Sequence, residues 1–534
     1  MKFDKEKLNN LNFKKIALIS SLSLVGALIF SYGLFPPILR FVLKLKMQLK
    51  KGSLMRTMFD VIPFPLVFKI HVFNITNPDA IMRGEKPIVA DIGPYVFEEW
   101  KLRENWEEDV VEDTLTYDFK NRFIFRPELS NGLTGNEIVQ YSNLVLLGGL
   151  MAVKRDREAM LPMVTKALMS IFKNPDSVFM RARVMDILFD GLKFECKGDD
   201  FTVDAVCSAI KSEAQGLKEI DETTLSISIF GSKNDTSFGR FHVLRGVRNI
   251  SELGQIQTFN GESMQSVWDG DECNKNIGTD STLFPPFMTQ DMGLWTFTPD
   301  ICMSLRAHYL EPSSYAGMPT WLYSLDFGDF KNEPEKHCFC YDPPDDCPPK
   351  GTIDLMPCVG VPVYGSKPHF LDTDPKLLEN VGGLNPNRTI HDVFVNIEGI
   401  SGTIFEGYKR FQLNLAIEPI EDFEMMSKLP KVLLPLLWLE ESVQLNKTYT
   451  NILKYQLFLG LKFNFVVKWM GIVCGTAGML LSGFMLYQQQ QQQKQQSPTT
   501  VSSATSAIDD DDKVNKNIAN NVRSYSVGVS EAVK

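Results

Sequence analysis

The chain has 534 residues, too many for one ordinary domain and enough for a large core. Its formal net charge is -10 and its isoelectric point about 5.3. That excludes nucleic acid as a natural partner, because a phosphate backbone needs a basic face.

Residues 1–15 form a short lysine-bearing lead, read as a cytoplasmic tail. Residues 16–39, IALISSLSLVGALIFSYGLFPPIL, carry no charge over 24 positions. A helix crosses a bilayer core with about 20 apolar residues, whereas a cleaved signal has an apolar region of roughly 7–15. The run is therefore read as an uncleaved transmembrane helix, ended or kinked by Pro36 and Pro37. Basic residues flank it on both sides, so charge does not orient it. Residues 40–58 alternate bulky apolar and basic side chains. They suit an amphipathic helix, either lying on a membrane or packed on the following domain.

From 64 to 128 the runs PLVFKIHVFNI, KPIVADIGPYVFEEW and LTYDFKNRFIF read as strands broken by turn dipeptides. The acidic stretch EEWKLRENWEEDVVEDT reads as a solvated strand face. Apolar residues at i, i+3, i+4 spacing predict helices over about 137–190 and near 203–218. Lys154, Arg155, Arg157, Lys166, Lys173, Arg181 and Arg183 interrupt that pattern, most simply as a solvated face. From 223 to 420 the chain is again strand-like, as in TTLSISIFG, GRFHVLRGV and YKRFQLNLAIEPI. A second uncharged run, WMGIVCGTAGMLLSGFMLY at 469–487, marks a span over 465–487. Its Gly471-xxx-Gly475 suits close helix packing. Residues 488–534 are glutamine-, serine- and threonine-rich and are expected to be a disordered cytoplasmic tail.

Two spans leave a body of about 40–464 on one side of the membrane. All five Asn-x-Ser/Thr sequons, at Asn74, Asn234, Asn249, Asn387 and Asn446, fall in that body. Such sites are glycosylated only in the secretory lumen. Eight of the nine cysteines fall there too, and Cys474 sits in the second span. The cluster HCFCYDPPDDCPPKGTIDLMPC at 337–358 could hold zinc, but its spacing fits no usual paired zinc pattern. An even count in a luminal body reads as disulfides. No GxSxG, HExxH, P-loop or GxGxxG is present, and the six histidines lack ligand spacing. The chain is therefore read as no enzyme, with no cofactor and no metal.

FNITNPDAIMRGEKPIVADIGPYVFEEW, DSTLFPPFM, the HCFC run, PVYGSKPHFL, GLNPN, NIEGISGTIFEGYKRFQLNLAIEPI and LLPLLWLEE, in this order between two spans, resemble the class B scavenger receptor family. The run KHCFCYDPPDDCPPKGTIDLMPCVGVPVYG is most similar to the insect sensory neuron membrane branch of that family. The resemblance implies an α+β ectodomain: an irregular antiparallel β-barrel-like core holding a lipid tunnel, with an apical helical bundle. It also implies disulfides Cys273–Cys338, Cys302–Cys358 and Cys340–Cys347. Cys196 and Cys207 remain, 11 positions apart, and are expected to form a fourth bond. In the family, apical basic residues receive the ligand. Lys173 falls near that place, with Lys154, Arg155, Arg157, Lys166 and Arg181 as further candidates. Some relatives carry tail cysteines for acylation, and here residues 1–15 and 488–534 have none.

The resemblance implies a membrane co-receptor in the dendritic cilia of olfactory neurons. It would hand hydrophobic pheromones or other fatty-acid-derived ligands to an odorant receptor complex, taking them from soluble odorant-binding proteins. The alternatives are a general lipid or lipoprotein uptake receptor and, more remotely, an ectoenzyme acting on lipids.

Overall fold

The computed structural model describes residues 12–197, 200–214 and 216–496. The ends of both expected tails lie outside the described residues. Two helical runs, Phe13–Met47 and Lys447–Gln495, are long and apolar enough to cross a membrane. The chain divides into two compact units: one contains residues 12–28 and 469–496, the other is Ile29–Lys468.

In the smaller unit the glycines of the second span are the packing surface. A Cβ built on Gly471 would lie 2.1 Å from the Ala27 Cβ, and one on Gly475 would lie 2.8 Å from the Leu24 Cβ. One on Gly478 would meet the Ser20 hydroxyl oxygen at 2.1 Å. Without side chains at these points the two backbones approach closely, and dispersion contacts replace the hydrophobic drive that lipid does not supply.

Pro36 and Pro37 do not end the first helical run, which continues to Met47. They occupy the first positions of the Phe35–Met47 segment. The preceding turn, Ile29–Leu34, is widened to a π-helix, which gives the carbonyls four residues back room for the proline rings. At the other end the Leu459–Gln496 helix begins ahead of the expected span and carries on into the glutamine run.

The larger unit is built on strands β1 (Leu66–Ile75), β2 (Val89–Asp109) and β3 (Thr114–Phe125), then β4 (Ile138–Ser142), β5 (Phe179–Arg183), β6 (Leu192–Glu195), β7 (Leu217–Glu219) and β8 (Thr224–Ile227). It continues with β9 (Ser237–Leu244), β10 (Ile256–Phe259), β11 (Leu294–Thr298), β12 (Met303–Tyr315) and β13 (Met318–Ser324). The last are β14 (Thr352–Asp354), β15 (Val363–Ser366), β16 (Phe394–Glu398), β17 (Thr403–Ile417) and β18 (Val432–Gln444). One antiparallel sheet runs β10-β9-β3-β2-β1-β18-β17-β16-β13-β12-β11, with β15 and β14 added beside β17.

This sheet is nearly closed into a barrel, and one short segment bridges its two edges. The Ile256 N–H of β10 donates to the Gly278 carbonyl at 2.9 Å, and the Phe297 N–H of β11 donates to the Thr279 carbonyl at 3.0 Å. Gly278 has φ +96°, and a Cβ there would strike the Trp295 carbonyl at 2.1 Å, so only glycine passes. The bridge covers edge groups that would otherwise template aggregation.

Over one end lie the helices Leu144–Asp156, Leu161–Ile171 and Phe201–Glu213. The helical pattern expected over 137–190 is interrupted: Ile138–Ser142 and Phe179–Arg183 pair as strands. Short runs there serve either period, and tertiary pairing decides. The segment 40–58 is two helices broken at residues 48–53, with Ser53 capping the second. Leu43, Met47 and Leu49 share one buried cluster with Phe59, Tyr117 and Phe241, so this segment is part of the larger unit's core.

Disulfides join Cys196 to Cys207, Cys273 to Cys338, Cys302 to Cys358 and Cys340 to Cys347. Cys474 is free. The Cys196–Cys207 bond ties the end of β6 to the Phe201–Glu213 helix.

Candidate functional site: an apolar cavity with a charged node

Side chains alternate along β1, so Leu66, Phe68, Ile70 and Val72 face inward while Val67 faces out. The same alternation on β17 and β18 points Leu413, Leu415, Leu439 and Val443 at the interior. There they line a cavity of about 670 Å³, within the usual range for a small-molecule site. The same cavity is lined by Gly148 and Ile210 of the helical layer and by Met47 and Met55 of the segment that follows the first span in the chain.

Of the charged side chains on this largely apolar wall, four meet in one node. Lys101 Nζ lies 3.0 Å from Glu99 Oε1 and 3.0 Å from Glu441 Oε2. Lys409 Nζ lies 3.0 Å from Glu441 Oε1 and donates to the Ser281 hydroxyl at 2.6 Å. The contacts cross four neighbouring strands, β2, β1, β18 and β17. Glu441 is opposite both Phe68 and Lys409 in the ladders, which sets one carboxylate between two ammonium groups. The Glu99 side chain is 1% exposed, whereas that of Lys409 is 43% exposed, and both line the cavity.

Burial, reinforced by the Glu441 charge, raises the Glu99 carboxyl to about 7 against the pull of Lys101. Burial opposes ionisation of Glu441 as well, but Lys101 and Lys409 overcome it and hold that carboxyl at about 2. Glu99 is thus the frustrated member, and its Oε2 has no hydrogen-bond partner among the described residues.

This corrects the reading of the acidic stretch as a solvated face for its first part, whereas Glu104, Glu107, Glu108, Asp109 and Glu112 are exposed as that reading has them. Glu99, Lys101 and Arg103 are buried in alternation. Arg103 reaches Asp280 at 2.6 Å, and Tyr117 donates to the same carboxylate at 2.8 Å. The available signal was phase: Tyr95 and Phe97 are fully inward, and a period of two carries that face on to 99, 101 and 103.

The candidate basic residues sit on or beside the helical layer, mostly in ion pairs rather than in one pocket. Lys154 pairs with Glu418 at 2.8 Å and Arg155 with Asp354 at 2.5 Å, fastening the first helix to the barrel. Arg157 meets Glu213 at 3.2 Å and Lys166 meets Asp200 at 3.6 Å. Lys173, in the left-handed region and 76% exposed, lies 3.1 Å from Glu195. Arg181 is exposed on β5. Of the sequon asparagines, Asn249, Asn387 and Asn446 are exposed helix caps. Asn74 and Asn234 are half-buried and accept from the Gln140 and Phe123 N–H groups.

Three of the six histidines do converge, away from the cavity wall. His71 Nδ1 and His369 Nε2 contact Asp91 at 2.8 and 3.0 Å, and Trp438 Nε1 donates to it at 3.0 Å. His391 stacks on His369 with ring centroids 4.3 Å apart. The Asn387 N–H donates to His391 Nδ1, and burial keeps that ring neutral, with its pKa lowered to about 4. The cluster is a satisfied polar knot between strands.

The family model described as the CD36 family matches residues 17–486. Sensory neuron membrane protein 1 of Anopheles gambiae is 52% identical over 487 residues, covering 90% of this chain and 89% of that protein. The Aedes aegypti protein of that name is 52% identical over 443 residues, 83% and 82% of the two chains. That of Mamestra brassicae is 42% identical over 467 residues, 87% and 89%.

Proposed function

The chain belongs to the CD36 family, and from that premise we propose that it is a sensory co-receptor, which captures lipid-derived odorants or pheromones and passes them through its cavity to an odorant receptor in the neuronal membrane. The observation that carries the reading is the cavity: largely apolar, about 670 Å³, and lined both by the helical layer and by Met47 and Met55. Those two methionines follow the first span directly in the chain.

Burying each CH₂ is worth about 0.8 kcal/mol, so a chain of about sixteen carbons has on the order of 12 kcal/mol at stake in leaving an apolar setting. A dry route between a soluble carrier and the bilayer removes that barrier without any covalent step. Lys173 is the proposed point of first contact, and soluble odorant-binding proteins are the proposed donors. The relatives' name, sensory neuron membrane protein, supports the cell type. Ciliary location and cytoplasmic tails complete the proposal.

The test is to delete the gene in pheromone-sensing neurons and record spikes. The expected result is a large loss of sensitivity and slowed kinetics, restored by the wild-type chain. Unchanged responses defeat the proposal. A phenotype confined to gut or blood cells turns it toward the general lipid-uptake reading.

A further inference from the structure

The exposed apolar surface does not stop where the uncharged spans do. On the Phe35–Met47 helix, Leu43 and Met47 turn into the larger unit's core. Ile38, Phe41, Val42 and Leu45 are exposed. Their spacing, i, i+3, i+4, i+7, makes them one stripe on a second face of that helix. The run leading into the second span repeats the arrangement. Leu457 and Phe458 are buried, while Tyr455, Leu459, Phe463 and Val466 recur every three or four residues and are exposed. Lys46 of the first run donates to the Gln456 side-chain oxygen of the second, so the two runs stand side by side there. Contiguous apolar surface of this kind marks a contact with a partner or a membrane.

The charges along these runs have one sign. No aspartate or glutamate occurs over residues 7–59 or 442–508, in a chain whose net charge is -10. Arg40, Lys44 and Lys46 follow the first span, and Lys454 and Lys462 precede the second. Carboxylates of the adjoining segments, Asp60, Glu108 and Asp113, are taken by Arg56 and Arg245. Lys44 and Lys46 donate instead to uncharged oxygens, the Arg248 carbonyl and Gln456 Oε1, and each ammonium group has three N–H donors to place. Arg40 rests over the Phe287 ring, 5.8 Å from its centroid.

We propose that the two stripes and the cations beside them are a docking surface for the bilayer leaflet on the ectodomain side, where Arg40, Lys44, Lys46 and Lys462 hold the headgroups of anionic phospholipids. The proposal is independent of the transport reading above. Helix rise sets the depth. Lys44 and Lys46 follow Leu39 by about 7–10 Å of rise, and Lys462 precedes Trp469 by about 10 Å. The headgroup layer is roughly 5–8 Å thick on each side of the hydrocarbon. The apolar stripes therefore reach past the hydrocarbon edge, and the lysine stems can follow them while their ammonium groups stay among phosphates. The headgroups supply the negative charge that these segments lack. Continuity with the two spans selects lipid over an acidic protein segment as the occupant. Each cation held at an anionic surface contributes about fivefold in preference for it.

The experiment uses the full chain in phosphatidylcholine nanodiscs, with a bimane on Leu45→Cys in a Cys474→Ser background. Phosphatidylcholine or phosphatidylserine bearing a nitroxide high on one acyl chain is added as a short-range quencher. Both lipids should quench, and the serine lipid should do so severalfold more strongly at equal content. That preference should fade at about 1 M salt, where the screening length is about 3 Å. Replacing Lys44, Lys46 and Lys462 together by Gln should bring the two lipids to near equality while quenching by phosphatidylcholine persists, which reports a folded and seated chain. Replacing the same three by Arg should keep the preference. Lys14→Gln with Lys15→Gln, at the other end of the first span, should leave it unchanged. No quenching by either lipid would show that the stripe lies outside the bilayer and overturn the proposal. Equal quenching by both in the labelled parent, or an undiminished preference in the triple Gln variant, would overturn the headgroup contact.

Discussion

Glu99 and His391 are both buried, and burial moves them in opposite directions. The His391 pKa falls from 6.5 to about 4, chiefly by burial and then by the neighbouring His369. Between those values the unfolded chain binds the extra proton. Stability is therefore complete above pH 6.5 and is lost as pH falls toward 4, by roughly 1.4 kcal/mol per unit at the steepest. Glu99 rises from 4.5 to about 7, so the folded chain binds the extra proton, and stability is lost as pH rises across that window. From pH 4.5 to 6.5 the two slopes oppose each other, so the wild-type melting temperature should change less across that window than that of either single variant. Glu99→Gln should expose the histidine slope, so that its melting temperature drops on acidification from 6.5 to 5. His391→Asn should show the reverse. Thermal melts in detergent measure both, and matching profiles in all three proteins would refute the assignment. Neither residue announced itself in the sequence. Glu99 lay in a run so rich in charge that solvation was the simplest reading, and only the alternation from Tyr95 and Phe97 pointed inward. The partners of His391 come from distant strands, so spacing along the chain could not gather them.

At the scale of single elements, legibility followed the length of the pattern. The runs quoted over 65–75, 86–100 and 115–125 lie on β1, β2 and β3, because alternation over several residues is hard to mistake. Short runs such as 138–142 carried no such weight and became strands only by pairing with 179–183. The prolines do not end the run but do sit beside a π-turn, and their sequence signal does not say which of the two, an end or a distortion, will follow. The glycines of the second span were a weak motif in the sequence and are a contact surface in the fold. Gly475→Leu should force the two helices apart, since Leu24 and the Ser20 carbonyl already stand within 3.0 Å of a first added carbon. Gly483→Leu is the control, with nothing within 4 Å of its Cβ. Spin labels placed by Leu18→Cys and Leu481→Cys in a Cys474→Ser background should separate measurably in the first variant and not in the second. Equal distances would show that the glycine face does not hold the spans.

For the molecule as a whole, the barrel-like core and the placing of the helices over its end came from the resemblance. Periodicity supplied strands but not their order. The cavity could not be read at all, because its wall draws on residues from Met47 to Leu445. Its upper wall offers a direct test. A Cβ on Gly148 meets only the Val361 Cγ1, at 3.8 Å, an ordinary contact. Gly148→Leu should therefore fold and reach the cell surface, yet push the rest of its side chain into the cavity. Uptake of a fluorescent lipid should fall several-fold, and undiminished uptake would mean that ligands travel by another path. The first and last strands of the sheet, β1 and β18, are neighbours, joined from Val67–Ser442 onward. The chain thus enters and leaves the barrel at one rung. Sideways tension between those two ends would load hydrogen bonds singly, as a zip does, rather than all together. The second rung is Phe68–Glu441, so once the first has opened, mechanical stress on the roots of the protein passes next to the carboxylate that bridges its two inner lysines.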